Sequence, residues 1–273
     1  MDRRTRQDGL WGHPVDLGIN GRRALICAAS RGLGRACADA LVREGVAVTI
    51  TGRDVDAVED TADALRRVSD TEVQTAVGDI ATEAGRQAAL AACPEPDILV
   101  TNADGPPPGA FERWRREDWI AALDANMLAP ILLIRAVHAG MMARGFGRIV
   151  NITSAMIKAP LDILPLSAGA RLGLVGAVAA LARTGAARNV IINNLLPEMF
   201  DTDRLRSNLS MLAERDGRTF DEEQRLRISH VPAGRFGDPA EFGALCAFLC
   251  SAKAGYITGQ NIVIDGGAYA GTF

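Results

Sequence analysis

Short runs of apolar residues alternate along this chain with longer stretches of helical pattern from residue 22 onward. The short runs predict strands and the longer stretches predict helices. The predicted strands are Arg23–Ala28, Val46–Thr51, Val73–Val77, Ile98–Thr101, Arg148–Thr153, Val190–Leu195 and Asn261–Ile264. The predicted helices are residues 32–44, 54–68, 82–92, 117–126, 129–144, 167–187 and 239–250.

Strands that alternate with helices are typical of βαβ units, whose right-handed crossovers build a parallel sheet covered on both faces. We therefore expect one α/β domain over residues 21–273: a single Rossmann-type doubly wound seven-stranded parallel sheet with helices on both faces. Residues 1–20 are polar without a period and predict an N-terminal extension. The polar stretch at about 197–231 is too long for an ordinary loop and predicts a lid insertion over a binding crevice.

Composition and charge narrow the function classes. The chain has 273 residues, and its net charge of −3 argues against nucleic acid or an anionic membrane as a partner. Its five cysteines have no CxxC spacing and its three histidines lie far apart, so no metal site is predicted. We see no apolar run of membrane-spanning length and no signal peptide, which predicts a cytoplasmic protein.

A glycine-containing turn follows the first predicted strand. Residues 28–34 read Ala-Ala-Ser-Arg-Gly-Leu-Gly and open directly into a helix. Strand, glycine turn and helix at the start of a βαβ series predict a site for a dinucleotide pyrophosphate at the helix N-terminus. Ala28 stands where a glycine is expected, so we expect a turn built without a positive φ at that residue.

Two arginines indicate which dinucleotide fits. The second strand ends at Arg53 and not at an acidic residue, and Arg31 lies in the glycine turn. An acidic residue there would bind a ribose 2′-hydroxyl, whereas arginine suits a 2′-phosphate. The sequence therefore favours NADP(H) over NAD(H) as the cofactor.

From about residue 20 to the C-terminus the chain resembles the short-chain dehydrogenase/reductase family, in particular its 3-oxoacyl-carrier-protein-reductase-like members. Gly32 and Gly34 match the last two glycines of the family motif TGxxxGxG, and Thr101–Asp104 aligns with its NNAG motif. Residues 234–239 and 258–267 look like the C-terminal signature of those members. The resemblance implies a small-molecule substrate and a homotetramer or homodimer.

The resemblance also assigns roles residue by residue. Asp79 matches the aspartate that touches adenine, and Pro197 and Thr202 match the segment that faces the nicotinamide carboxamide and the phosphates. Together with the glycine turn, the residues expected to bind the cofactor are Ala28, Ser30, Arg31, Gly32, Leu33, Gly34, Arg53, Asp79, Ile80, Asn102, Ala103, Arg171, Pro197 and Thr202. The residues expected at the catalytic centre are Ser154, Asn126, Ser167 and Arg171.

The family's YxxxK motif is missing. Ser167 and Arg171 occupy its tyrosine and lysine positions, and neither Tyr256 nor Tyr269 has a lysine four residues later. Arg171 is able to bind ribose hydroxyls, but arginine stays charged and relays no proton. Loss of one positioned general acid costs a factor of ~10²–10⁴ in rate.

Three functions remain open at this point. The first is an NADP(H)-dependent oxidoreductase on a carbonyl or hydroxyl substrate, with a modified proton-delivery apparatus. The second is a lyase or isomerase on the same scaffold that uses Asp104, Glu198 or Lys158, which are also the candidate substitutes for the missing acid. The third is a nucleotide-binding pseudoenzyme or sensor with little turnover.

Overall fold

All seven strands of the sheet are parallel in the computed structural model, which describes residues 15–272. Their order across the sheet is β3-β2-β1-β4-β5-β6-β7. The strands are β1 (Arg23–Ile26), β2 (Ala47–Gly52), β3 (Val73–Val77), β4 (Ile98–Thr101), β5 (Gly147–Ile152), β6 (Val190–Pro197) and β7 (Asn261–Ile264). The predicted extension falls largely on residues 1–14, outside the described residues.

Nine α-helices lie between the described strands. They are α1 (Gly32–Arg43), α2 (Val55–Arg66), α3 (Glu83–Ala92), α4 (Arg116–Leu123), α5 (Ala129–Arg144), α6 (Pro165–Ala186), α7 (Asp203–Asp216), α8 (Phe220–Ser229) and α9 (Pro239–Cys250). A π-helical turn, Asp124–Leu128, joins α4 to α5. The polar stretch predicted at 197–231 thus holds two helices, α7 and α8.

The hydrophobic core has two layers, one on each face of the sheet. Buried residues of α1, α2 and α9 pack on one face, and those of α3, α5 and α6 on the other. Strand β4 shows the alternation, because Ile98 and Val100 point into the first layer and Leu99 into the second. The predicted fold class is therefore confirmed.

Two helical stretches bear on the expectation that the chain has no apolar run of membrane-spanning length. Arg116–Arg144 and Pro165–Ala186 are long and apolar enough to cross a membrane by length and composition alone. The prediction that the chain has no apolar run of that length is therefore wrong. Leu133 and Leu174 show the reason: each is buried in the second core layer, and a helix that covers an apolar sheet needs an apolar face of its own.

The strand order places a topological switch point between β1 and β4, the neighbours from which the chain runs toward opposite edges of the sheet. In open α/β sheets the crevice beyond the carboxyl ends of such strands binds ligands. The glycine turn follows β1, and Asn102 follows β4, at that crevice. The fold thus brings the predicted site residues to one edge of the sheet.

Candidate active site

The glycine turn keeps a left-handed residue at its first position although that residue is alanine. Ala28 has a φ of 46°, so the expectation of a turn without a positive φ there is wrong. Two hydrogen bonds hold its backbone: the Ala28 amide donates to Thr51 Oγ1 (3.2 Å), and the Ala28 carbonyl accepts from Asn102 Nδ2 (3.2 Å). A Cβ at Gly34 would stand 2.4 Å from the same carbonyl oxygen, so only glycine fits there.

Helix α1 begins without a side-chain cap. Its N-cap residue Arg31 makes no capping hydrogen bond, and no acidic residue lies in the first turn. By contrast, α2 begins on Asp54, α3 on Thr82 and α7 on Thr202, each of which accepts a backbone N–H. The free N–H groups of α1 and its dipole therefore fit an anion such as a dinucleotide pyrophosphate.

Contacts with the start of α7, with the first core layer and with α2 hold the glycine turn and the beginning of α1 in place. A Cβ at Gly32 would lie 3.7 Å from Thr202 Cγ2, so the start of α7 faces the glycine turn. Leu33 is half-buried against the first core layer and anchors the helix start. The Ser30 carbonyl accepts from Thr61 Oγ1 (2.7 Å), which ties the turn to α2.

Both arginines predicted to meet a 2′-phosphate are paired with carboxylates. Arg31 Nη2 lies 3.0 Å from Asp54, and Arg53 donates to Asp104. All four side chains are largely exposed, so these pairs are available to exchange partners with an incoming phosphate. Arg53 therefore stands at the end of β2 with a replaceable counter-ion.

The other residues predicted to bind the cofactor make contacts within the protein. Asp79 accepts the Ala81 amide (2.9 Å) within the turn after β3, and Ile80 is buried in the second core layer. Ala103 packs against that layer. Pro197 pairs with Ile264 at the carboxyl ends of β6 and β7.

Asn126 lies in the π-helical turn between α4 and α5. Its Nδ2 donates to the Asp104 carbonyl (3.2 Å) and to the Ala122 carbonyl (3.4 Å). Its Oδ1 is buried without a hydrogen-bond partner among the described residues. Because buried polar atoms normally have partners, this orphaned oxygen indicates a missing donor, such as a water or ligand group. π-Turns inside helices occur frequently at functional sites.

Arg171 lies below the carboxyl end of β5. Nη1 donates to the carbonyls of Ile152 and Thr153 (3.0 Å each), and Nε donates to Ser167 Oγ (3.3 Å). Burial, with a smaller contribution from Arg204, lowers the pKa of Arg171 to about 10. No carboxylate pairs with Arg171 within residues 15–272. The buried Arg171 guanidinium thus has no counter-ion among the described residues, and Ser167 Oγ accepts one of its hydrogen bonds.

Ser154 is half-buried directly after β5. Its Oγ accepts the Met156 amide (3.2 Å) and caps a short 3-10 turn. This bond uses one lone pair and leaves the hydroxyl proton available to a substrate oxygen. Ser154, Arg171 and Ser167 are brought together because Arg171 binds the two carbonyls just before Ser154.

The three candidate substitutes for the missing acid differ in surroundings. Asp104 pairs with Arg53 and Arg204, so it acts as a counter-ion. Lys158 Nζ lies 5.6 Å from the centre of the Tyr269 ring. Burial, and then the charge of Asp265, raises the pKa of the half-buried Glu198. Of the three, Glu198 has the environment that favours holding a proton.

Arg204, in the first turn of α7, is a site residue that the sequence reasoning missed. Its Nη1 lies 3.3 Å from Asp104, and its Nη2 donates to the Gly105 carbonyl (3.0 Å). The available signal was its place two residues after Thr202. Nothing in the sequence separates it from the many other arginines of the 197–231 stretch.

The comparison with protein families covers most of the chain. Residues 27–269 match the family model described as "Enoyl-(Acyl carrier protein) reductase". The chain belongs to the short-chain dehydrogenase/reductase family. Membership confirms the resemblance seen in the sequence and the oxidoreductase class that it implies.

Individual relatives of this short-chain dehydrogenase/reductase are reductases. The 3-oxoacyl-[acyl-carrier-protein] reductase FabG of Vibrio cholerae serotype O1 is 30% identical over 253 residues, covering 93% of this chain and 99% of the relative. The NADPH-dependent reductase BacG of Bacillus subtilis is 29% identical over 252 residues, covering 90% and 97%. The L-sorbose reductase of Gluconobacter frateurii, solved with NADPH and L-sorbose, has a TM-score of 0.89 and 27% identity, covering 94% and 100%.

Proposed function

We propose that this protein is an NADP(H)-dependent oxidoreductase that interconverts a carbonyl and a hydroxyl group on a small molecule, with a proton-delivery route that does not use a tyrosine–lysine pair. The observation that carries the proposal is Arg171, a buried cation held under the cleft at the position of the family's lysine. Arg171 supports the proposal that the cleft binds a cofactor ribose, although the group that delivers the proton differs from the tyrosine of the family motif.

The residues of the cleft fit NADP(H). The uncapped N-terminus of α1 would hold the pyrophosphate, Arg53 and Arg31 the 2′-phosphate, and Arg171 the ribose hydroxyls near the nicotinamide. When bound, the cofactor supplies or accepts the hydride. Thr202, which faces the glycine turn, closes the phosphate site from the α7 side.

The other residues act on the substrate. Ser154 Oγ donates a hydrogen bond to the substrate oxygen and holds the carbonyl in place. Asn126 Oδ1, which has no hydrogen-bond donor among residues 15–272, binds a water molecule in the proton path. Glu198 is assigned as the proton donor to the substrate oxygen, because burial and then the charge of Asp265 raise its pKa.

A pseudoenzyme or sensor is the second candidate, favoured by one observation. Ser167 is buried and engaged by Arg171 at 3.3 Å, so the family's usual donor position holds no acid. Under this alternative the protein binds NADP(H) tightly and has little turnover.

One experiment separates these functions. NADPH binding is measured by fluorescence titration, and NADPH oxidation is followed over a panel of diketones and 3-oxoacyl esters. The oxidoreductase predicts binding and turnover that falls ~10²–10⁴-fold in Glu198→Gln. Binding without turnover supports the sensor, and absence of binding contradicts both.

Cytoplasmic location and self-association complete the proposal. The outer face of α6 exposes Gly176, Ala177 and Ala180 next to Leu172. Small residues allow close helix approach, so this face supports the homotetramer or homodimer that the family resemblance implies. Light scattering coupled to size-exclusion chromatography tests it, and a monomer would contradict it.

A further inference from the structure

Asp104 bridges two walls of the cofactor cleft. Its carboxylate pairs with Arg53, at the end of β2, and with Arg204, in α7, at 3.3 Å. The backbone at this point is fixed, because the Asp104 carbonyl accepts from Asn126 and the Gly105 carbonyl from Arg204. One carboxylate therefore connects the proposed 2′-phosphate residue to the helix that covers the cleft.

Helix α7 has few other ties to the sheet. It packs chiefly against α8. In α8 the buried Glu223 forms ion pairs with Arg218 and Arg227. The start of α7 is fixed by the Asp201 amide, which donates to the Gly237 carbonyl (2.9 Å). Within residues 15–272, Arg204–Asp104 is the ion pair that links α7 to the opposite wall of the cleft.

The two arginines share the Asp104 carboxylate, Arg53 at Oδ2 and Arg204 at Oδ1, and a 2′-phosphate would change this sharing. A phosphate at Arg53 carries more negative charge than a carboxylate and offers more acceptor oxygens. It would take Arg53 from Asp104 and leave the carboxylate charge to Arg204 alone, which strengthens the pair that already holds Arg204 beside the Gly105 carbonyl. A cofactor without that phosphate would leave Asp104 shared.

We propose that Asp104 couples recognition of the 2′-phosphate at Arg53 to closure of α7 through Arg204, so that NADP(H) holds α7 over the cleft more tightly than NAD(H) does. This inference rests on the proposed function, since it requires that the cleft bind a nicotinamide dinucleotide. It makes Asp104, where the family motif has glycine, a residue that determines cofactor specificity through the position of α7.

Amide hydrogen exchange across α7, followed by mass spectrometry at saturating NADPH or NADH, tests the coupling. We expect exchange in the unaltered protein to be about two- to five-fold slower with NADPH than with NADH, the range gained from one exposed ion pair. In Asp104→Asn and in Arg53→Gln this difference disappears. Asp216→Asn, which removes the ion pairs with Arg215 and Arg218 at the end of α7, keeps this difference and serves as the matched control.

Nucleotide binding is measured in parallel on every variant by fluorescence titration. If neither nucleotide binds the unaltered protein, the proposed function fails. If both bind but protect α7 equally, or if Asp104→Asn retains the NADPH-specific protection, the coupling is overturned while the proposed function stands.

Discussion

Replacing Ala28 with glycine is expected to stabilise this protein. Ala28 has a φ of 46°, a conformation in which the Cβ approaches the following carbonyl oxygen. Its backbone is held there by the hydrogen bonds to Thr51 and Asn102, so the residue cannot relax. Glycine adopts the same conformation without that contact.

The magnitude follows from two opposing effects. A left-handed non-glycine residue costs about 1–2 kcal/mol, and glycine loses roughly 0.5–1 kcal/mol more conformational entropy on folding than alanine. The half-buried Ala28 methyl loses little contact when it is removed. The free energy of unfolding should therefore rise by about 0.5–1 kcal/mol, which raises Tm by roughly 1–3 °C for a domain of this size.

The neighbouring residue supplies the control. Ala29 is fully buried and its φ is not positive. Ala29→Gly therefore loses the burial of a methyl group and adds the conformational entropy cost of glycine, with no backbone strain to relieve. It should destabilise by about 1–2 kcal/mol. Urea unfolding of both variants, at one fixed protein concentration, gives the comparison. If Ala28→Gly were as destabilising as Ala29→Gly, the reasoning from backbone strain would be refuted.

Three further predictions concern the cleft. The double substitution Ser167→Tyr with Arg171→Lys should raise NADPH-dependent reduction of simple diketones by ~10²-fold; no gain over either single variant would show that other changes have reshaped the site. Because burial raises the pKa of Glu198, the folded state binds its proton more tightly than the unfolded chain, and stability falls as pH rises above the usual glutamate range. Glu198→Gln should therefore unfold at higher urea than the unaltered protein at neutral pH and at nearly the same urea at acid pH; equal midpoints at neutral pH would contradict this. Gly34→Ala, whose Cβ would stand 2.4 Å from a backbone oxygen, should cost ~1–3 kcal/mol in urea unfolding and weaken NADPH binding; unchanged binding would argue against a pyrophosphate at α1.

The strand and helix pattern of this chain could be predicted from sequence, because buried parallel strands are short apolar runs separated by amphipathic helices. The bounds of β3, β4 and β7 agree with the prediction, while β1 ends two residues early. The end of the helix predicted over 117–126 could not be predicted from the sequence. Its end is a π-turn at Asn126, which hydrogen bonding shows and hydrophobic spacing does not.

Ala28 shows where local rules fail. Alanine disfavours a positive φ, so the sequence argued for another turn geometry. The structure keeps that geometry because Thr51, in β2, and Asn102, directly after β4, bind the Ala28 backbone on both sides. Tertiary contacts of this kind outweigh a local cost of about 1–2 kcal/mol and leave no mark within the turn itself.

The ion pairs around the cleft likewise depend on tertiary contacts that the local sequence does not show. The sequence identifies Arg53 and Asp104 singly, but their ion pair joins the segments that follow β2 and β4. Arg204 reaches Asp104 only because α7 folds across the cleft. Side chains that meet through long-range folding are visible in a structure and not in a pattern.

The central claim is that this cleft transfers a hydride without a tyrosine–lysine pair. The most direct measurement incubates the protein with NADPH deuterated at C4 of the nicotinamide and a carbonyl panel, and determines deuterium in the product by mass spectrometry. We expect NADPH binding and deuterium on the new carbinol carbon, at a rate lowered by Glu198→Gln. Tight NADPH binding with no deuterium transferred to any substrate would contradict it.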